Sequence, residues 1–336
     1  MNTTQPQPKT LIEAVRYFAD LDICHTYMAN LKWPDGVVRC PECGNDNIGI
    51  IASRRMFQCK AAACRKQFSV KVGTIFEDSP LPLDKWFVAV WCITNAKNGI
   101  SSCELARAIG ITQKSAWHML HRVRHAMHFG SFDKFTGEVE SDETYVGGKS
   151  RNMHLSRRQE KIHGTGGAGK AVVHGLLERG SKAKNVASKV RANVVKDTKR
   201  KTLLPTIQEN VESGSHVYTD ALRSYQGLQA EYVHEVIDHA KEYVRGAVHT
   251  NGMENFWSLL KRSISGTYVS VDAPHLARYV DEQAFRFNER TRNDAGRFKT
   301  VMPGVVGKRL MYKTLIGATT PDNCKKDGAG SDGLAN

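Results

Sequence analysis

The 336-residue chain has no apolar run long enough to cross a bilayer. The longest, Trp86 to Thr94, falls short of the roughly 20 residues a membrane helix needs. Its first residues, Met1-Asn-Thr-Thr-Gln-Pro-Gln-Pro8, lack the apolar core of a signal peptide. No internal repeat is visible, which argues against a solenoid. Acidic residues are in deficit, with 34 Asp and Glu against 48 Lys and Arg, so the formal net charge is +14. That balance favours an anionic partner, nucleic acid first and an anionic membrane surface second. There are eight cysteines, too few of them regularly spaced for a disulfide framework. A soluble cytoplasmic protein with a nucleic-acid partner and no membrane partner is the expectation.

What the chain does have begins with four of those cysteines. Cys40-Pro-Glu-Cys43 and Cys59-Lys-Ala-Ala-Ala-Cys64 are two thiolate pairs separated by a segment that can form a hairpin. A tetrahedral zinc site needs that arrangement, and four protein ligands leave no open position, so the metal is structural. The second pair has four intervening residues and predicts a looser turn. Arg54, Arg55, Lys60, Arg65, Lys66 and Lys71 surround the site and suit phosphate contacts, or form a merely solvated surface.

Residues 10–31 carry a helical apolar period, as does the region 83–130. Within the latter, residues 103–124 resemble a helix-turn-helix, with Gly110 at the turn and Thr112 as a cap. Leu105, Ala106 and Ile109, then Trp117, Leu120 and Val123, face inward. Gln113, Lys114, Ser115, His118, Arg122 and Arg124 face outward, and Gln113, Lys114, Ser115 and Arg122 are the candidate DNA contacts. An ordinary helical hairpin with a basic surface has the same pattern.

From Gly137 the period changes to that of strands. Val139 to Val146 reads as a strand that stops at Gly147-Gly148 and sets Glu140, Asp142 and Thr144 on one face. A basic Gly-rich loop over 149–170 follows, then strands over 171–178 and 186–195, a helix over 199–212, and a strand over 216–220. A helix over 221–228, a strand over 233–237 and two long helices complete the pattern. The order β-β-β-α-β-α-β-α is that of a mixed α/β sheet with packed helices. The domain organisation read from this is an N-terminal helix (1–33), a zinc ribbon (34–76), a helix-turn-helix region (77–132), an α/β domain (133–300) and a partly disordered tail (301–336).

Three acids stand out: Asp142 mid-strand, Asp220 at a strand end and Glu254 in the first turn of a helix. Each has a plain reading, as a surface acid, an N-cap, and half of a capping box with Asn251. Together, in one α/β unit of a basic chain, they fit a site for two divalent metals acting on a phosphodiester. Lys261 lies on the face of Glu254, about two helical turns on. Met253, Phe256, Trp257, Leu260 and Ile264 form the opposite, apolar face.

The motifs that carry a family resemblance are Trp33-Pro-Asp-Gly36 with Cys40-Pro-Glu-Cys43, Phe68-Ser-Val70 with Gly73-Thr-Ile-Phe76, Asp142-Glu-Thr-Tyr-Val-Gly-Gly148 and Tyr218-Thr-Asp220. They continue with His249-Thr-Asn251, Glu254, Phe256-Trp-Ser-Leu-Leu-Lys-Arg262, Arg278-Tyr-Val-Asp-Glu282 and Phe287-Asn288. On these the chain resembles bacterial insertion-sequence transposases of the DDE class, of the ISXO2-like type with an N-terminal zinc ribbon. The resemblance covers about residues 10–292. It implies a ribonuclease H-like catalytic domain and two magnesium (or manganese) ions held by Asp142, Asp220 and Glu254. It implies Lys261 as a DNA-contacting residue, and transposon ends and target DNA as substrates for cleavage and strand transfer. A homo-oligomer in the synaptic complex also follows from it. Some members use an asparagine as the third residue; Asn251 is available, and Glu254 is preferred because a carboxylate suits a hard cation better than an amide. A non-catalytic, domesticated DNA-binding protein and a metal-dependent nuclease without strand transfer are the alternatives.

Replacing Cys40 or Cys59 with alanine is expected to abolish stoichiometric zinc and unfold the ribbon. Metal analysis of the purified variants checks this; zinc content equal to the parent protein's would rule the site out.

Overall fold

We describe the fold from a computed structural model, over residues 7–128, 133–148, 155–156, 169–181, 185–220, 222–237 and 249–317. The described residues fall into two compact units, one within 7–94, 102–126 and 294–317, the other within 95–101 and 127–293. The loop expected over 149–170 lies outside the described residues except for 155–156 and 169–170, as do the first six residues and those beyond 317.

In the first unit the helix expected over 10–31 is two, α1 (Leu11–Phe18) and α2 (Leu21–Lys32). The break is local chemistry. Asp20 Oδ1 accepts from the Asp22 amide at 2.8 Å, which starts a new helix where the first one ends. Strands β1 (Ile48–Ile51), β2 (Met56–Cys59) and β3 (Gln67–Phe68) form a small antiparallel sheet in that order. Phe57 and Phe68 leave it to pack on each other and on Trp33. Next come α3 (Leu83–Asn95), whose Trp86, Phe87, Val90 and Trp91 are buried, then α4 (Ser102–Ile109) and α5 (Gln113–Met127). Gly110 adopts φ +63 between the last two, and the Thr112 hydroxyl accepts from the Ser115 amide at 3.2 Å, so the expected turn and cap are both present.

One candidate DNA contact changes its role here. Arg122 is only 6% exposed, and its guanidinium donates to the carbonyls of Leu310, Ile75 and Glu77 at 3.0, 3.0 and 2.6 Å. It is an internal tie between distant segments, not an outward contact. Arg124, read as outward too, is also buried. Helical period alone put both on the polar face; segments remote in sequence cover Arg122 there.

The second unit is a five-stranded sheet in the order β6-β5-β4-β7-β8. Its strands are β4 (Glu138–Val146), β5 (Ala171–Glu178), β6 (Lys189–Val195), β7 (His216–Asp220) and β8 (Val233–Ile237). The first three form the expected antiparallel meander, and β7 and β8 add parallel to β4. Helix α6 (Arg200–Asn210) covers one face through Leu203 and Ile207, packed with Val139, Leu176 and Val217. Helices α7 (Asn251–Arg262) and α8 (Ala273–Asn288) cover the other through Met253, Phe256, Leu260, Leu276 and Val280, packed on Val173, Leu177 and Val190. At the edge strand β6 the Asn288 amide accepts from the Val190 N–H at 2.7 Å and donates to its carbonyl at 2.9 Å, standing in for a missing strand.

Of the α-helix expected over 221–228, the described residues 222–228 form none. Two 3₁₀ turns, Arg223–Tyr225 and Leu228–Ala230, take its place. Asp220 Oδ1 accepts from the Leu222 amide at 3.0 Å, which turns the chain, and Gly227 at φ +100 breaks any helical path. A further helix, α9 (Asp294–Val301), belongs to the first unit instead of the α/β domain expected to run to residue 300. Phe298 is the cause: it is buried against Phe18, Phe87 and Trp91, at ring-centroid distances of 5.2, 5.9 and 5.6 Å. Phe298→Ala should therefore destabilise the first unit by about 3–5 kcal/mol, measured by denaturant unfolding followed through tryptophan fluorescence.

Candidate active site and metal centre

The site starts where two parallel strands part. Strands β4 and β7 pair from Glu138↔His216 to Glu140↔Tyr218 and no further. Extended by two residues, that register sets Asp142 opposite Asp220. The C-terminal end of a parallel pair beside an antiparallel neighbour is a natural crevice for a ligand. Oxygens of Asp142, Glu143 and Asp220 lie within 4.8 Å of one another there. Glu143 was not among the residues read from the sequence, because side chains on a strand alternate and Glu143 belongs to the face opposite Asp142. The gap beyond the last β4–β7 pair lets both reach Asp220.

Each acid is held by its surroundings. Asp142 Oδ1 accepts from the Glu143 amide at 2.8 Å, and Oδ2 accepts from the Trp257 indole N–H at 2.9 Å. Glu143 accepts from the Tyr225 hydroxyl, to which the Ser141 hydroxyl donates at 3.2 Å. Burial pushes the Asp142 carboxyl up to about 6, and the charges of Asp220 and Glu254 push the same way against the two hydrogen bonds. Burial pushes Glu143 up to about 8, with Asp220 and Asp142 adding to it. Clustered, desolvated carboxylates of this kind are relieved by a cation. An all-oxygen donor set suits a hard divalent ion, so these residues fit the kind of metal that the sequence implies.

Helix α7 brings the third acid. Glu254 does not join the cluster within that distance, yet its charge is felt at Asp142. Glu254 and Lys261 are both exposed on this helix, while Met253, Phe256, Trp257 and Leu260 are buried, as the pattern implied. Asn251 is the first helical residue and Thr250 the N-cap, so the Asn251–Glu254 capping box is not the arrangement found. The Met253 amide donates instead to Glu140 Oε2 at 2.9 Å. Trp257 does more than pack. Gly175 is paired with Asp142 across β4 and β5, and a Cβ there would stand 2.7 Å from the Trp257 ring and 2.3 Å from Met253 Cε. The missing side chain lets the indole lie across the sheet and reach Asp142. Sequence reasoning missed Glu143, Glu140, Tyr225, Gly175 and the polar role of Trp257; only a glycine inside a strand was there to hint at the last.

In the first unit the four cysteines come together. Cys40 and Cys64 sulfurs stand 3.7 Å apart, and those of Cys43 and Cys59 3.6 Å. Four sulfurs about 2.3 Å from one tetrahedral centre would stand about 3.8 Å apart, so the set fits zinc. Backbone amides of Glu42 and Cys43 donate to Cys40, that of Ala61 to Cys59 and that of Lys66 to Cys64. The longer second knuckle closes through Arg65 at φ +50, whose amide donates to the Ala61 carbonyl at 3.1 Å. Of the basic residues around it, Arg55 pairs with Asp22, and Lys71 donates to the carbonyls of Ser79 and Leu81 at 3.0 and 2.6 Å. At the start of α5, Gln113 and Lys114 are exposed and Ser115 half-buried. Gln113 donates to the Ser102 hydroxyl at 2.8 Å, and the Lys114 ammonium sits 4.9 Å from the centre of the Tyr312 ring.

Residues 134–288 match the family model of the ISXO2-like transposase domain, and residues 22–67 that of the transposase zinc-ribbon domain. The chain is 37% identical over 101 residues to an uncharacterized transposase-like protein of Haemophilus influenzae, covering 30% of this chain and 81% of that protein. It is 29% identical over 289 residues to an uncharacterized protein in transposable element ISH50 of Halobacterium salinarum, covering 82% of this chain and 93% of that protein. The sheet of the second unit is accordingly a ribonuclease H-like one.

The raised acid has a consequence for stability. In the metal-free folded protein Glu143 keeps its proton up to about 8, against an ordinary value of 4.5. Between those values the folded state binds a proton that the unfolded chain releases, so stability falls as pH rises through the window. Glu143→Gln should flatten that fall, as measured by the melting temperature of the zinc-loaded protein without added magnesium or manganese across the same window.

Proposed function

The chain belongs to the ISXO2-like insertion-sequence transposases, and we propose that it cuts DNA at the ends of its element and joins the freed 3′-hydroxyls to target DNA. The observation that carries this reading is the meeting of Asp142, Glu143 and Asp220 within 4.8 Å at the parted ends of β4 and β7, with Glu254 near enough to act on Asp142. Asp142, Asp220 and Glu254 hold two magnesium or manganese ions. Bound there, the ions supply activation of a water or hydroxyl nucleophile and charge neutralisation at the leaving oxygen.

The chain's own residues do the rest. The Trp257 indole and the Glu143 amide fix the two oxygens of Asp142. Tyr225 orients Glu143, the fourth carboxyl of the crevice. Lys261, exposed on the helix that carries Glu254, meets a phosphate of the bound strand. Glu254 is preferred over Asn251 because a carboxylate suits a hard cation better than an amide, and its charge is felt at Asp142.

In the first unit the ribbon, with zinc as a structural ion, and the helix pair α4–α5 recognise the terminal inverted repeats as double-stranded DNA. Gln113, Lys114 and Ser115 are the groove-facing residues of that reading, without Arg122, whose donors are taken by carbonyls. Bringing two ends together calls for a homo-oligomer.

The test is strand cleavage and joining of a DNA fragment carrying the element's ends, in magnesium. Asp142→Asn, Asp220→Asn and Glu254→Ala should each lower both steps by at least about 100-fold, the scale on which one preorganised charge acts in catalysis, with repeat binding intact. Asn251→Ala should cut. A wild-type protein that binds the ends and never cuts them would give way to the reading of a domesticated DNA-binding protein.

A further inference from the structure

We propose that Glu140 is a positioning residue for the metal site, tying the N-terminus of α7 to β4 so that Glu254 is held in register with Asp142 and Asp220. This rests on the metal-dependent reading above.

The Glu140 side chain is 1% exposed, and a carboxylate so far from water must be fully partnered. Both of its oxygens are used. Oε1 accepts from Arg179 Nε at 2.8 Å and stands 3.4 Å from His249 Nδ1. Oε2 accepts from the Met253 amide at 2.9 Å. Although Glu140 shares a strand face with Asp142, it therefore has no oxygen directed to the crevice.

Its work is at the helix end. The first amides of a helix have no partner within it, and the N-cap side chain usually takes one of them. Thr250, the N-cap of α7, makes no such bond. A carboxylate from the neighbouring sheet takes the amide instead, and its charge suits the positive end of the helix.

The sequence distances make this bond a ruler. Met253 immediately precedes Glu254, and Glu140 lies two residues before Asp142. Glu140 is also paired with Tyr218, two residues before Asp220. The Arg179 guanidinium that holds Glu140 stacks 4.3 Å from the centre of the Tyr218 ring and donates to the His249 carbonyl just ahead of α7. One cluster thus touches all three chain segments that carry the acids, one or two residues from each.

Gly252 is the clearance for it. A Cβ at that position would sit 2.8 Å from Glu140 Oε2 and 2.9 Å from Leu177 Cδ1. Alanine there would crowd the Glu140 carboxylate and the end of the Leu177 side chain, displacing Glu140 from the Met253 amide while leaving every charge in place.

The experiment is Mn²⁺ binding to the full-length, zinc-loaded protein without DNA, read by the electron paramagnetic resonance of free Mn²⁺, with near-ultraviolet circular dichroism to report folding. Gly252→Ala favours helix over the native glycine, yet it should weaken Mn²⁺ binding by about 10-fold or more, the usual scale for residues that orient metal ligands. Glu140→Ala should do the same, and Glu140→Gln, which keeps an acceptor for the Met253 amide, should lose less. Added to Glu254→Ala, Glu140→Ala should cost nothing further, because both act through one ligand.

Wild-type affinity in folded Gly252→Ala and Glu140→Gln would overturn the proposal, as would full additivity with Glu254→Ala. Should Glu140→Ala fail to fold, the other two variants decide. No Mn²⁺ uptake by the wild-type protein would overturn the metal reading itself, whereas uptake that none of these variants alters would overturn this inference alone.

Discussion

Carboxylates crowded out of water repel one another, and the second unit is built to hold them together all the same. Pairing between β4 and β7 ends at Glu140 and Tyr218, and the acids stand just past that end. Donors reach in from both layers: Trp257 from the helix α7 side, Tyr225 from the opposite side and the backbone of β4 itself. These donors lower the cost of the charges without cancelling it, since Asp142 and Glu143 remain raised. A site left in that state has much to gain from a divalent cation, which is the sense in which electrostatic preorganisation precedes catalysis.

The chain's positive charge divides between two uses. Part of it is consumed inside the protein. Arg122 ties three carbonyls in the first unit, Arg179 holds Glu140, and Arg286 pairs with the buried Glu282. Arginine suits such positions because its donors are many and fixed in one plane. Other basic residues, including Lys114, Lys261 and Arg262, are exposed. A net charge of +14 is therefore a poor guide to which residues would touch a polyanion.

The ribbon meets a different constraint. Its three strands span four, four and two residues, too little sheet to hold itself together. Four sulfurs within bonding geometry of one centre, together with the aromatic trio Trp33, Phe57 and Phe68, supply what the short strands lack.

Features carried by short-range chemistry were legible in the sequence. The cysteine spacing, the Gly110 turn with its Thr112 cap, the meander of β4, β5 and β6 and the apolar stripe of α7 are all written in local periods or spacings. What the sequence could not determine depends on segments remote from one another. Asp220 reads as the end of a strand and the cap of a helix, but in the fold it accepts from the Leu222 amide and Gly227 breaks the helical path, so a turn follows. Arg122 reads as solvent-facing until residues 75–77 and 310 cover it. Phe298 draws its helix into the first unit because its aromatic partners there come from the other end of the chain. Glu143 belongs by strand alternation to the wrong face, and it reaches the crevice because two strands part beside it. Local sequence determines which face a side chain takes; the tertiary structure decides what that face meets, because hydrogen bonds and burial are shared with residues far away along the chain.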